Sequence, residues 1–295
     1  MQVKDFVRPP FANYDIVVYF GCGLFSLPLL YRYIINPAGL VLPATQIEIS
    51  VEFASVTIST LVLLFSVYIL GHVIAFLASH MIEKTVDLFF GKISTAVILS
   101  NKFSSKKFGG AVQRFIMKRT KVAFSGYSWI PSGLRVLALA PVWLALLFLI
   151  GFRQVEYFRS RVPPKVFDQV KKDFSSKGYG QVSLNQKWYK TIEHDIINNY
   201  PATTARMYNY LVISGIFRSL AFIFLMAAWF ELLYWCYFPF GGDAKFEPLW
   251  TTTSGGNSIL SLLFLNIAFG FCLSAYLKFS RRYVEEAIFG FVLCR

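Results

Sequence analysis

Histidine, cysteine and acidic residues are scarce in this chain. Three His and four Cys are spread over 295 residues. Cys22, Cys236, Cys272 and Cys294 show no C-x-x-C spacing and no Cys/His cluster, which excludes a zinc site of ordinary spacing and a disulfide framework. His194 and Asp195 are adjacent, so on a helix their side chains diverge instead of forming a catalytic pair. H-E-x-x-H, G-x-S-x-G and the phosphate-binding G-x-x-x-x-G-K-[ST] are all missing. No catalytic residue, metal ligand or cofactor is assigned. Charge of either sign makes up only 15% of the chain, against about 25% in a soluble domain.

Apolar residues fill the space. They make up 56% of the sequence, aromatics 18%, and mean hydropathy is +0.52. Charge-free runs recur at 16–31, 53–71, 136–152, 219–230 and 257–277. About 20 apolar residues, rising 1.5 Å each, cross about 30 Å of hydrocarbon. The expected fold is all-α, a polytopic integral membrane helical bundle with a basic cytoplasmic region. Residues 1–80 are expected to form an N-terminal membrane helical hairpin, 81–206 the basic region, and 207–295 a C-terminal hairpin with a cytoplasmic tail. Asp5 and Asp15 interrupt the N-terminal charge and no A-x-A site follows, so the first run reads as a retained helix. Tyr31, Arg32 and Tyr33 at its end read as an interfacial anchor.

The net charge of +13 is local. Residues 80–133 hold nine Lys/Arg against two acids, and 153–206 hold ten against five. Residues 36–52 carry no Lys or Arg, which by the positive-inside rule puts them outside and the basic segments inside. Counting charges gives four crossings in a bacterial inner membrane, with both termini cytoplasmic. The stretch 134–152 does not fit, because a crossing there would strand one basic segment outside. Pro141 in its middle allows a re-entrant or protein-buried pair of half-helices, since irregular backbone survives at membrane depth only when it is packed in protein or lines water. A fifth crossing is the alternative.

Short amphipathic helices are expected within the basic region. Val166, Val170 and Phe174 share one face, with a proline at the helix start, and Trp188, Ile192, Ile196 and Tyr200 share another. The pattern F-S-S-K-x-[FY]-G occurs twice, at Phe103–Gly109 and Phe174–Gly180. Hydroxyls, a lysine and a glycine that admits backbone N–H groups suit a phosphodiester; two solvated turns are the plain alternative. Cations interleaved with rings (Phe103, Phe108, Phe115, Tyr179, Trp188) are the usual means of holding single-stranded nucleic acid. Anionic lipid or a partner protein would use the same charges. Lys106, Lys107, Lys118, Arg119, Lys171, Lys172 and Lys177 are the candidate ligand contacts.

Polar residues inside apolar helices are the other candidates. Glu231 is costly at that depth and is expected to face the bundle interior or water. Asn266, on the next antiparallel helix, falls at a similar depth. The two could bond to each other, line an ion path, or serve as glue between helices. His72 is the third such residue, and Arg218 is expected to snorkel to the inner boundary.

The paired terminal hairpins around a basic region that includes HDIINNYPATTARMYNYLVISGIFRSL (194–220) resemble the layout of bacterial anti-phage defence membrane effectors, in particular those of Hailong-type systems. The resemblance implies a homo-oligomeric ion channel, held shut by short single-stranded DNA made by a partner nucleotidyltransferase. It assigns no residue. An integral-membrane lipid or group transferase without a recognisable motif, or a membrane anchor or scaffold for a partner protein, are the other classes the sequence allows.

Overall fold

The computed structural model describes residues 15–35, 53–90, 93–94, 134, 137–149, 163–179, 186–237 and 257–293. Among them there are helices and turns and no strand. Lys106, Lys107, Lys118 and Arg119, together with the Phe103–Gly109 copy of the repeated pattern, lie outside the described residues.

The first apolar run forms α1 (Gly21–Leu30), extended at either end by π-helical turns Asp15–Phe20 and Tyr31–Ile35. The second forms α2 (Phe53–Ala78), which passes through a π-helical turn, Ser79–Glu83, into α3 (Lys84–Phe90). A short apolar helix α4 (Ala140–Leu149) follows. Then come α5 (Pro164–Ser176), α6 (Gln186–Asn199), α7 (Pro201–Tyr237) and α8 (Asn257–Leu293). Four stretches are long and apolar enough to cross a membrane: Ile16–Tyr33, Thr60–Asp87, Pro201–Leu233 and Ile259–Leu293.

The described residues form two cores. The larger is built where α1, the end of α2, α4, α7 and α8 meet, with Ile82, Leu139, Leu225, Phe269 and Leu273 fully buried. The smaller lies at the other end of α7 and α8, where α5 and α6 pack against them through Val170, Phe174, Ile192, Ile196, Met207, Ile288 and Phe291. The expected faces Val166/Val170/Phe174 and Ile192/Ile196/Tyr200 are the ones turned inward, while the side chain of Trp188, the first residue of the second face, lies outside what is described; Pro164 takes the first helical position, where its missing N–H costs nothing.

Two lengths differ from expectation. The last helix does not stop where the charge-free run 257–277 ends but continues to Leu293, because Val284, Ala287, Ile288 and Phe291 form a buried stripe against α5 and α6. α7 begins at Pro201, immediately after α6. The Thr204 hydroxyl donates to the Ile196 and Tyr200 carbonyls at 3.1 and 3.0 Å, beside the Tyr200 and Thr204 N–H groups that these carbonyls already accept, and so ties the start of α7 to the end of α6. At 37 residues each, α7 and α8 run about 55 Å and belong to both cores.

The α1–α2 contact is very close. A Cβ on Gly23 would lie 2.1 Å from the Val67 carbonyl oxygen, and one on Gly71 would lie 1.7 Å from that of Tyr19. The five successive residues Leu61–Phe65, on the far part of α2, are all 44–65% exposed. These residues cover every side of the helix, so no apolar stripe there is turned toward protein.

Candidate functional site

Three polar clusters lie within or beside the larger core, and a fourth lies in the smaller. The first centres on Glu231 of α7. Its side chain is fully buried, and the Tyr33 hydroxyl donates to Oε1 at 2.5 Å. Tyr33 is itself buried, with its ring stacked on Phe230 at 5.1 Å. A carboxylate in apolar surroundings is tolerated only when it is hydrogen-bonded, and an O–H donor to an ionised oxygen makes one of the stronger and shorter bonds available. Tyr33 is therefore not the interfacial anchor expected from its neighbours. Tyr31, two residues earlier, is the exposed ring.

The second cluster centres on Asn266 of α8. Its amide Nδ2 donates to the Pro141 carbonyl at 2.9 Å and to the Leu262 carbonyl at 2.9 Å, and its Oδ1 faces the Ala145 N–H at 3.4 Å. Of the alternatives open to the pair, the direct Glu231–Asn266 bond does not form; each residue has a different partner. Asn266 binds the chain where Pro141 breaks it. Leu139 (φ −92°, ψ 2°) leads into a 3-10 turn, Ala140–Val142, which the Val142 N–H closes onto the Leu139 carbonyl at 3.0 Å. On the other side, the Trp229 indole donates to the Ala138 carbonyl at 2.7 Å. These groups supply what the broken helix cannot supply for itself. The described part of 134–152 buries Leu139, Val142, Ala145, Leu146 and Leu149, and it leaves Leu144, Leu147 and Phe148 open. α4 is about 15 Å long, half of a crossing.

The third cluster is an ion pair. Arg218 Nη1 donates to Glu83 Oε2 at 2.6 Å, and the Ser79 hydroxyl reaches the same oxygen at 3.0 Å. Beside it the buried Cys22 lies against Ser219. His72 belongs to none of these clusters. It is exposed, stacked on Tyr19 at 3.7 Å and edge-on to Tyr68 at 4.5 Å.

In the smaller core, the second F-S-S-K-x-[FY]-G copy is a helix stop. The Tyr179 N–H binds the Phe174 carbonyl, the Gly178 N–H binds that of Ser175, and Gly178 has φ +76°. This is a Schellman motif with glycine in the left-handed position. Phe174 enters the core, and the Ser176 hydroxyl turns back to the Asp173 carbonyl. Lys177 binds the buried Asp195 at 2.6 Å and lies over the Phe291 ring at 4.7 Å. In this copy Ser176, Lys177 and Gly178, which stands at the variable position, serve the fold, and the glycine of the pattern itself, Gly180, lies outside the described residues. Asp195 also accepts from Asn199 at 3.0 Å, while His194 faces outward to Asn198. Lys171 is exposed and paired loosely with Asp168 at 3.4 Å, and Lys172 is exposed.

Burial disfavours the Lys177 ammonium, but the hydrogen bond and charge of Asp195 outweigh it and hold the pKa above the ordinary lysine value. A raised lysine pKa contributes stability that is complete below the unfolded value and lost as pH rises through the folded one. The pair's lysine should therefore contribute evenly up to about pH 10. Lys177→Ala is expected to lower stability by about 1–2 kcal/mol, below the ~3–5 kcal/mol of a fully buried pair because Lys177 is partly solvated. Thermal unfolding of the purified protein checks this, and a midpoint equal to that of the native chain would show Asp195 to be satisfied without the lysine.

Sequence reasoning found Glu231 and Asn266 but not Tyr33 or Glu83. The available signal was the lone charge of Arg218 in an apolar run, which implied a buried acid elsewhere without saying which one. Comparison with protein-family models, with curated proteins and with solved structures finds no match for this chain, so these clusters are interpreted from their geometry.

Proposed function

We propose that the protein is an oligomeric membrane effector: an ion-conducting helical bundle whose gate is set by a polyanion on its cationic cytoplasmic side. The observation that carries this reading is the continuity of α7 and α8. Each is about 55 Å long against about 30 Å of hydrocarbon, and each packs in both cores. A ligand that shifts α5 or α6 would thus act on the same rigid helices that hold Glu231 and Asn266. The uncovered apolar surface of α2 suits lipid, because a helix that is apolar all round has no water-facing side. Lys171 and Lys172, exposed on α5 in the smaller core, are the described candidates for ligand contact, and Lys106, Lys107, Lys118 and Arg119 are further ones. The layout's resemblance to Hailong-type effectors supports an anti-phage setting, short single-stranded DNA as the ligand and a nucleotidyltransferase as its source.

The test uses the full-length protein in liposomes loaded with an ion-sensitive dye, with and without a short single-stranded oligonucleotide. The expected result is ion flux that the oligonucleotide changes at least tenfold. Binding should weaken as salt rises. Lys171→Glu with Lys172→Glu should reduce the slope of log affinity against log salt by about 1.4, or ~0.7 per phosphate contact on a single strand. Absence of flux in both conditions would sink the channel reading, and an unchanged slope would remove these two lysines from the ligand site.

A further inference from the structure

The hairpin formed by α1 and α2–α3 is tied to α7 at two polar points. Tyr33 meets Glu231, and Glu83 meets Arg218, 13 residues or about 20 Å apart along α7. The hairpin itself is joined through backbone contact at Gly23 and Gly71, so it behaves as one body. The Glu83–Arg218 pair is unevenly sheltered. The Arg218 side chain is 17% exposed and that of Glu83 is 42% exposed. If the acid's charge is lost, a sheltered guanidinium remains without its partner; if the guanidinium is lost, the acid already has access to solvent. An unpaired buried cation must reach water, and in the seam between α1 and α7 Cys22 lies 2% exposed against Ser219, beside Arg218.

We propose that Glu83 is the working half of a latch. By neutralising Arg218 it keeps the seam between hairpin and α7 shut, and losing its charge swings the hairpin outward about the Tyr33–Glu231 contact and uncovers Cys22. This rests on the reading of the apolar spans as membrane helices, and it supplies the moving part of the proposed gate. Glu83 ends the turn that leads into α3. Asp87, one turn further on and close enough to act on Tyr276 together with Glu83 and Arg218, is a potential substitute acid.

The experiment follows the rate at which N-ethylmaleimide modifies Cys22 in native membranes, in a chain carrying Cys236→Ser, Cys272→Ala and Cys294→Ser. Glu83→Gln, alone or with Asp87→Asn, should raise the rate at least tenfold. Arg218→Gln should stay within about threefold of the parent, since it leaves no sheltered charge, and the exchange Glu83→Arg with Arg218→Glu should return to the same range. The latch is overturned if Cys22 reacts no faster in Glu83→Gln in either background. It is equally overturned if Arg218→Gln speeds it as much, because the effect would then be general loosening. Ion flux is read on the same variants. Fast Cys22 labelling without flux would uphold the latch and count against the channel.

Discussion

Gly71→Ala should leave the N-terminal hairpin unable to close. The added methyl would sit 1.7 Å from the Tyr19 carbonyl oxygen, 2.4 Å from its carbon and 2.9 Å from its Cα. These are backbone atoms of a helix, so no side-chain rotation relieves the contact, and α1 and α2 must separate by more than an ångström. Separation also opens the reciprocal contact of Gly23 with Val67 and Gly71, and it breaks the stacking of Tyr19 on His72. Close approach of small residues is the main attraction between helices in lipid, where no hydrophobic drive joins them. The expected loss therefore exceeds the ~1–3 kcal/mol of ordinary overpacking. A fall of many degrees in the unfolding midpoint of the detergent-purified protein, or a collapse in the yield of monodisperse protein, is the expected result. Gly21→Ala is the control: nothing lies within 4 Å of its added Cβ, and replacing a helical glycine should help by about 0.5–1 kcal/mol. Equal midpoints for Gly71→Ala and the native chain would refute the backbone contact.

Asn266→Leu is expected to have the second largest effect, for a different reason. Leucine fills a similar volume but can neither donate to the Pro141 carbonyl nor accept from the Ala145 N–H. Both groups would be left unbonded next to an apolar core. At about 1–3 kcal/mol for each stranded polar group, the substitution should cost about 2–5 kcal/mol, and most of it should appear as loss of α4 and not of α8. Hydrogen exchange should show this as faster exchange at 140–149 while 270–290 remains protected. Asn266→Asp is informative beside it. A carboxylate can still accept from Ala145 but repels the Pro141 carbonyl, so it should fall on the destabilised side as well. Uniform loss of protection along α8 would mean that Asn266 supports its own helix and not the broken one.

Much of the fold could be read from local pattern. The apolar runs are too long for anything but helices, and the short amphipathic segments show their buried faces at i, i+4 spacing, which is why Val170, Phe174, Ile192 and Ile196 point inward as expected. Pro141 marked a break because its ring cannot continue a helix. The length of α8 could not be read this way. Arg281, Arg282, Glu285 and Glu286 read as a solvated or salt-bridged helix end; the salt bridges form, but Glu285 is buried where Arg281 binds it at 3.1 Å, and Glu286 accepts from Arg206 of α7 at 2.9 Å. The second F-S-S-K-x-[FY]-G turn was ambiguous in the same way, because the donors that could hold a phosphate are also those that end a helix.

The sequence by itself thus determined that its long apolar runs are helical and where they lie, that its net positive charge is concentrated in two segments, and which polar residues stand in apolar helices. Each of these is a property of neighbours within a few turns. Only the tertiary structure decided what those polar residues bind. Glu231 takes Tyr33 from 198 positions away, Arg218 takes Glu83 from 135, and Asn266 takes Pro141 from 125. A buried polar group must find a partner somewhere. Its identity is set by which helix faces come within about 3 Å of it, and no local periodicity encodes that.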